Sequence, residues 1–345
     1  MATASLILSA DSHVMEPPDL WAKSLPAKFR DRAPVYGAEA IDPFQGRQGG
    51  WNPTARIKEM AVDGVSGEVL YPTLGMYQYG IADAPLQEAC FRVFNDWLIE
   101  FCNAVPDRLF GIGMISTYDI EAAIQEMRRC KKQGLRGVMI WQVPPAALSF
   151  ATDHYERFWA AAQDLEMPVN LHILTGVHYS EQVEIDVGRT AVKNVRTWIN
   201  EKLLHVTNAL SDIVFSGVLE RFPRLKIVLV ENEVSWLPFV LTQWDRYYEK
   251  KYETPITMLP SKYFERQIYA TFFNDPPSGQ MFRTWGAENC MWSNDFPHPN
   301  STWPKSREII QRDLGQIPKA TIENLVCKTV MRLYDLPALA PITSH

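Results

Sequence analysis

Eight short apolar or β-branched runs alternate with amphipathic stretches of helical length, and this order predicts an α/β fold, a distorted (β/α)8 TIM barrel. The runs lie at residues 6–10, 65–71, 109–115, 135–141, 168–173, 226–231, 268–273 and 290–295. Strand–helix alternation implies a parallel sheet with right-handed crossovers, and eight units are the number that closes. No Gly-x-Gly-x-x-Gly turn follows any run, which disfavours an open doubly wound sheet.

In chain order, the first strand leads into a Gly/Pro-rich excursion at residues 34–53, of a length that reads as an active-site loop, and then into a helix at about 54–62. Helical stretches at 82–104, 120–132, 155–165, 195–221 and 234–248 separate the second to seventh strands, and a terminal helix is expected at 322–334. With no internal repeat, low-complexity tract or linker, the whole chain, 1–345, is expected to be one domain whose barrel spans residue 6 to about 336.

Composition narrows the function classes. With 46% hydrophobic and 21% charged residues the chain buries a large core. Against 40 Asp and Glu there are 34 Lys and Arg, so the net charge of −6 favours neither nucleic acid nor an anionic membrane as partner. No apolar run approaches the ~20 residues of a bilayer span. The start, which lacks a basic region and cleavage site, points to a cytoplasmic protein. Cys90, Cys102, Cys130, Cys290 and Cys327 are scattered without a C-x-x-C pair and read as reduced core thiols.

Functional side chains in such a barrel sit where strands end. Asp11-Ser12-His13 follows the first run, His172 closes the fifth, Glu231 the sixth and Asp295 the eighth. Two imidazoles and two or three carboxylates suit one divalent ion, Zn²⁺, Mn²⁺ or Fe²⁺. The strand period of two puts Asp11 and His13 on one side. Each residue alone has a plainer reading: His172 as a core histidine, Asp11 or Asp295 as a turn residue, Glu231 as the cap of a helix starting near Val234. Together, four such strand ends make a site. Around it, His298 is placed to bind a substrate anion or orient Asp295, and Arg56 is the best-placed cation. Trp51, Tyr71, Trp141 and Phe273 are candidates for an aromatic wall, and His178, Tyr179 and Glu181 for pocket lining after the fifth strand.

The segments Asp11-Ser12-His13-Val14-Met15-Glu16-Pro17, Asn170-Leu171-His172, Phe222-Pro223-Arg224-Leu225-Lys226 running on to Trp236-Leu237-Pro238, and Ser293-Asn294-Asp295-Phe296-Pro297-His298-Pro299 resemble the amidohydrolase superfamily. The resemblance is to the branch related to aminocarboxymuconate-semialdehyde decarboxylase, the amidohydrolase 2 group. It implies a mononuclear divalent metal held by Asp11, His13, His172 and Asp295, with Asp295 also moving a proton, and a homodimer, for which the 11 Trp and 24 Pro, concentrated partly in the loop 34–53 and in Trp236–Trp244, leave aromatic surface to spare. There are two departures. Asp11 stands where many relatives carry His or Glu, which favours Mn²⁺ or Fe²⁺. Glu231 and Asn232 stand where the decarboxylases carry a histidine.

That second departure makes hydrolysis of a small amide, ester or lactone the leading expectation, with metal-bound water brought towards a pKa of ~7 and Asp295 and Glu231 as the proton-carrying residues. The alternative is non-oxidative decarboxylation of a small aromatic or unsaturated acid. Less favoured are an enzyme with a second metal ion recruited by Glu231 and a non-catalytic barrel subunit.

Overall fold

A strand such as Ile227–Val230, apolar at every position, has no polar face to give to water, so it needs cover on both sides, which a parallel sheet wrapped in helices provides. The structure, a computed structural model, describes residues 6–37, 46–176, 196–250, 253–286 and 289–342. Its eight strands are β1 Leu8–His13, β2 Gly67–Tyr71, β3 Leu109–Met114, β4 Gly137–Ile140, β5 Val169–His172, β6 Ile227–Val230, β7 Ile268–Phe272 and β8 Cys290–Trp292. Each pairs in parallel with the next, in sequence order from β1 to β8.

The seam between β8 and β1 is closed by residues just beyond β8 rather than by a regular ladder. The Asp295 N–H donates to Asp11 O at 3.0 Å and the His13 N–H to Phe296 O at 2.6 Å. The Asn294 N–H donates to Ser9 Oγ at 2.9 Å, and Ser12 Oγ–H donates to Asn294 Oδ1 at 2.8 Å. The eight strands and their surrounding helices thus form a nearly closed (β/α)8 barrel.

Three boundaries differ from expectation for local reasons. β1 runs on through His13, with a bulge between Ser9, paired with Glu68, and Ser12, paired with Leu70. Such an extra residue turns the strand and re-aims a side chain, here Asp11. β8 stops at Trp292 because Asn294 bonds back to β1 and Asp295 adopts φ 54°, off the extended region. The single helix expected at 195–221 is two: a π-helical stretch, Arg196–Glu201, enters Lys202–Phe215, and Gly217 at φ 80° starts the separate Val218–Arg221.

Other helices fall near their expected places, at Pro53–Asp63, Ala84–Asn103, Ile120–Lys132, Glu156–Asp164 and Leu237–Tyr248. Asn52 accepts from the Thr54 and Ala55 N–H groups and Pro53 fills the first helical position, a preorganised start. The short helices Pro260–Gln267, Ser278–Thr284 and Ser306–Leu314 have no counterpart in the sequence reading. The terminal helical run is 319–333, its middle in π geometry. All five cysteines are buried. Among the described residues no helix is long and apolar enough to cross a membrane.

Arg56, expected at the mouth as a substrate cation, is instead fully buried below it. Its Nε donates to Glu68 Oε2 at 2.5 Å, and its guanidinium also donates to the carbonyls of His13, Gly49 and Phe296. The charge braces the ends of β1 and β8 from beneath. Arg56→Met therefore strands Glu68 in the core, at a cost of about 3–5 kcal/mol, and Arg56→Met with Glu68→Leu recovers much of it. Denaturant unfolding of the metal-free protein checks this; a single-variant loss below about 1 kcal/mol would remove the brace from the account.

Candidate metal centre

Asp11 and His13 from β1, His172 from the end of β5 and Asp295 beyond β8 meet at the barrel mouth, all essentially inaccessible to solvent. His13 Nε2 lies 3.4 Å from Asp11 Oδ1 and 3.5 Å from Asp295 Oδ1, and His172 Nε2 lies 3.7 Å from Asp11 Oδ1. Neighbouring donors on a common first-row ion, each about 2.1 Å from it, lie about 3.0–3.4 Å apart, so the set is spaced for one cation.

Both imidazoles are oriented from behind. His13 Nδ1 is 2.6 Å from Pro72 O and His172 Nδ1 is 2.9 Å from Ile173 O, which places the ring proton on Nδ1 and leaves each Nε2 lone pair facing the carboxylates. Pro72 is fixed in turn by its loop, whose Thr73, Leu74 and Gly75 N–H groups all donate to the buried Glu16 carboxylate. Meanwhile Asp11 Oδ1 and Oδ2, His13 Nε2, His172 Nε2 and Asp295 Oδ2 are buried without a hydrogen-bond partner. Buried carboxylates without donors demand a cation. The donor set therefore fits a divalent metal by its spacing, its tautomers and its unsatisfied atoms.

Glu231 faces the same point. Its Oε2 is 3.8 Å from His172 Nε2, and it forms donor clusters with Asp11, His13 and His172 and with His13, Asp295 and His298, all atoms of each cluster within 4.8 Å. The capping alternative is taken by another residue: Asp275 Oδ2 accepts from the Val234 and Ser235 N–H groups at 3.0 and 2.8 Å, and the helix begins only at Leu237. Glu231 and Asp295 both hold left-handed backbone, φ 60° and 54°, strain that persists where surrounding contacts impose it. His298 Nδ1 lies 2.8 Å from Asp295 Oδ1, and its Nε2 lies 3.2 Å from Thr73 Oγ1.

Electrostatics separate these groups. Burial alone would raise the Asp11 carboxyl, but His13 and His172 outweigh it and hold Asp11 well below the usual range. Burial pushes Asp295 up to about 7, with His13 drawing it down and Asp11 driving it up. Burial and then Asp295 raise Glu231, and burial lowers His298 to about 4, leaving it neutral near pH 7.

The centre opens on a cavity of about 720 Å³ whose walls include Met76, Ile173, Leu174, Ile199, Leu203 and Trp236, with Glu231, Asp295 and His298 at its floor. Lys202 is the one Lys or Arg among its described lining residues, and its charge reaches Glu231, Glu233 and Asp295. Sequence reading missed Lys202 because it lies on a helix after a long connection, not at a strand end.

The expected aromatic wall is corrected. Trp141 is fully buried with its Nε1–H donating to Tyr155 Oη, and Tyr71 is fully buried with its hydroxyl donating to Asn170 Oδ1. Phe273 is core, and Trp51 is 42% exposed outside the cavity. Tyr77 and Trp236 supply the aromatic surface instead. His178, Tyr179 and Glu181 lie outside the described residues.

The Amidohydrolase family model (Amidohydro_2) matches residues 11–336. The chain belongs to the amidohydrolase family. Gamma-resorcylate decarboxylase of Rhizobium radiobacter is 24% identical over 296 residues, covering 78% of this chain and 85% of the relative. Among solved structures, 5-carboxyvanillate decarboxylase from Sphingomonas paucimobilis superposes with a TM-score of 0.76 at 22% identity, covering 97% of this chain and 100% of that one. Dihydroxybenzoic acid decarboxylase from Polaromonas sp. JS666, with bound manganese and the inhibitor 2-nitroresorcinol, superposes with a TM-score of 0.68 at 20% identity, covering 96% and 97%. These likenesses correct the leading expectation: this amidohydrolase-family enzyme has decarboxylases as its relatives, so hydrolysis of an amide, ester or lactone gives way to the alternative.

Metal entry must displace the proton that Asp295 holds below about pH 7 in the metal-free protein. Apparent Mn²⁺ affinity is accordingly expected to rise at least tenfold per pH unit below pH 7, since Asp295 and also His172, whose proton Asp11 holds on in spite of burial, must release theirs, and to flatten at higher pH. Titration calorimetry at pH 5.5, 6.5 and 8 checks this, and pH-independent affinity would contradict it.

Proposed function

We propose that the chain is a divalent-metal-dependent, non-oxidative decarboxylase of a small aromatic acid with a hydroxyl beside its carboxylate. The observation that carries this is the buried, unsatisfied donor set opening on a largely apolar cavity, a place for an aromatic ring above a cation. The names of the relatives, gamma-resorcylate decarboxylase above all, support it.

Asp11, His13, His172 and Asp295 would hold one ion, and manganese is favoured by the hard carboxylates and by the relative with bound manganese. Such an ion would supply the positive charge that a substrate carboxylate meets at this mouth. Loss of carbon dioxide from the ring requires one proton at the carbon it leaves. Asp295, lying at ion-pair distance from His298, is one carboxyl able to move that proton, and Glu231, whose oxygen lies within 4.8 Å of the same donor cluster, is the second. Lys202 attracts the acid into the cavity and balances the three carboxylates there.

Three substitutions separate these roles. Asp295→Asn and Glu231→Gln are each expected to lower kcat by ~10²-fold or more, whereas Lys202→Met raises KM with kcat nearly kept. Carbon dioxide release from 2,6-dihydroxybenzoate and other ortho-hydroxybenzoates, with the manganese-reconstituted enzyme, is the assay. Absence of release from every such acid would overturn the reading.

A further inference from the structure

The segment Phe222-Pro223-Arg224-Leu225-Lys226 takes no part in the metal centre, because it ends where β6 begins and so lies at the opposite end of the barrel. There a second cavity, of about 680 Å³, opens among the residues leading into β4, β5 and β6 and the end of the terminal helical run. Its walls carry five cations, Lys131, Arg136, Arg224, Lys226 and Arg332, against two carboxylates, Glu166 and Asp335. Such an excess runs against a chain whose net charge is −6. Among the described residues only Arg224 of the five has a carboxylate partner, Asp164 Oδ1 at 2.9 Å. The others reach neutral acceptors: Lys131 Nζ donates to Leu165 O, Arg136 Nη1 to Asp335 O at 3.0 Å and Lys226 Nζ to Arg266 O at 2.9 Å, while Arg332 bonds the Tyr269 side chain. Partial burial holds the Lys226 ammonium below its usual range, and the guanidinium groups of Arg266 and Arg332 repel it further.

We propose that this cavity at the foot of the barrel binds a small phosphate monoester, its phosphate between Lys226 and Arg332 and its apolar body against Pro168, Pro223 and Leu333. Like charges gathered in a cavity repel one another, and an anion placed among them relieves the repulsion. With Arg224 paired, four cations face two carboxylates, an excess of two. A phosphate monoester near pH 7 carries about that charge, −1.5 to −2, whereas a monocarboxylate balances half of it. Guanidinium groups also match phosphate oxygens two at a time. The apolar walls, Pro168, Pro223 and Leu333, give a place to something larger than the phosphate itself. Binding there also bears on the fold. Arg332 stands two residues before Tyr334, whose hydroxyl enters the barrel and donates to Asn170 Oδ1 at 2.6 Å. An anion between Arg332 and Lys226 therefore ties the terminal run to the start of β6 and stabilises the folded chain by mass action.

The test is titration calorimetry of phenyl phosphate and of inorganic phosphate, at constant ionic strength, into the full chain and into Lys226→Met, Arg332→Met and His172→Ala. Phenyl phosphate is expected to bind more tightly than inorganic phosphate, to lose about tenfold or more in affinity in Lys226→Met and in Arg332→Met, and to keep its site in His172→Ala, which disables the metal centre. It is also expected to raise the unfolding temperature of the wild type and not that of Arg332→Met. Arg332 is exposed, so its replacement leaves the core intact and decides the matter even where Lys226→Met fails to fold. Absence of phenyl phosphate binding would overturn the proposal, as would binding undiminished in Arg332→Met. Binding that disappears in His172→Ala would overturn it too, since the phosphate would then sit at the metal centre. Equal affinity for the two probes would overturn the ester and leave free phosphate as the occupant.

Discussion

Two carboxylates, Asp11 and Asp295, are buried side by side with nothing to donate to their outer oxygens, and the arrangement around them follows from that electrostatic debt. An unpaired ion in the interior costs several kcal/mol, and a bound cation would turn the imidazole nitrogens facing it into lone-pair donors. A divalent cation satisfies all of these atoms at once. The barrel seam puts Asp295 and Asp11 together, since the Asp295 N–H bonds to the Asp11 carbonyl. Beneath them Arg56 ties the same chain ends, and beside them the Glu16 carboxylate gathers the loop whose Pro72 carbonyl fixes the His13 tautomer. The centre is thus held by supports that a metal need not assemble.

Much of this frame is legible in sequence, and the exceptions are instructive. Strand order and the residues Asp11, His13, His172, Glu231 and Asp295 follow from apolar runs and what stands at their ends, because barrel topology itself turns strand ends into neighbours. Arg56 misleads because sequence gives its position beside the first loop but not the partner, Glu68, that draws it into the core. Trp141 misleads for a related reason: its indole N–H finds the Tyr155 hydroxyl in the helical layer rather than a ligand in the cavity. The bulge at Ser9–Ser12 and the left-handed turns at Glu231 and Asp295 leave no periodic signal, since each is imposed by contacts far along the chain. Lys202 is invisible to a rule based on strand ends.

Glu231 gives this barrel its own character. With Asp275 capping the following segment, Glu231 is free of structural duty at the helix start and turns its carboxylate to the cavity, 3.8 Å from His172 Nε2. A carboxylate there adds negative charge to a centre that already holds two, and Lys202, which lines the same cavity, is the compensating cation. That charge balance is what the proposed hard divalent ion and acidic substrate would meet.

The central claim is a single cation held by four named side chains, and anomalous scattering from crystals of the manganese-loaded protein tests it most directly. The account predicts one peak at the manganese edge, about 2.0–2.3 Å from donor atoms of Asp11, His13, His172 and Asp295. A map without a peak at the barrel mouth, or with one ligated by other residues, would contradict it.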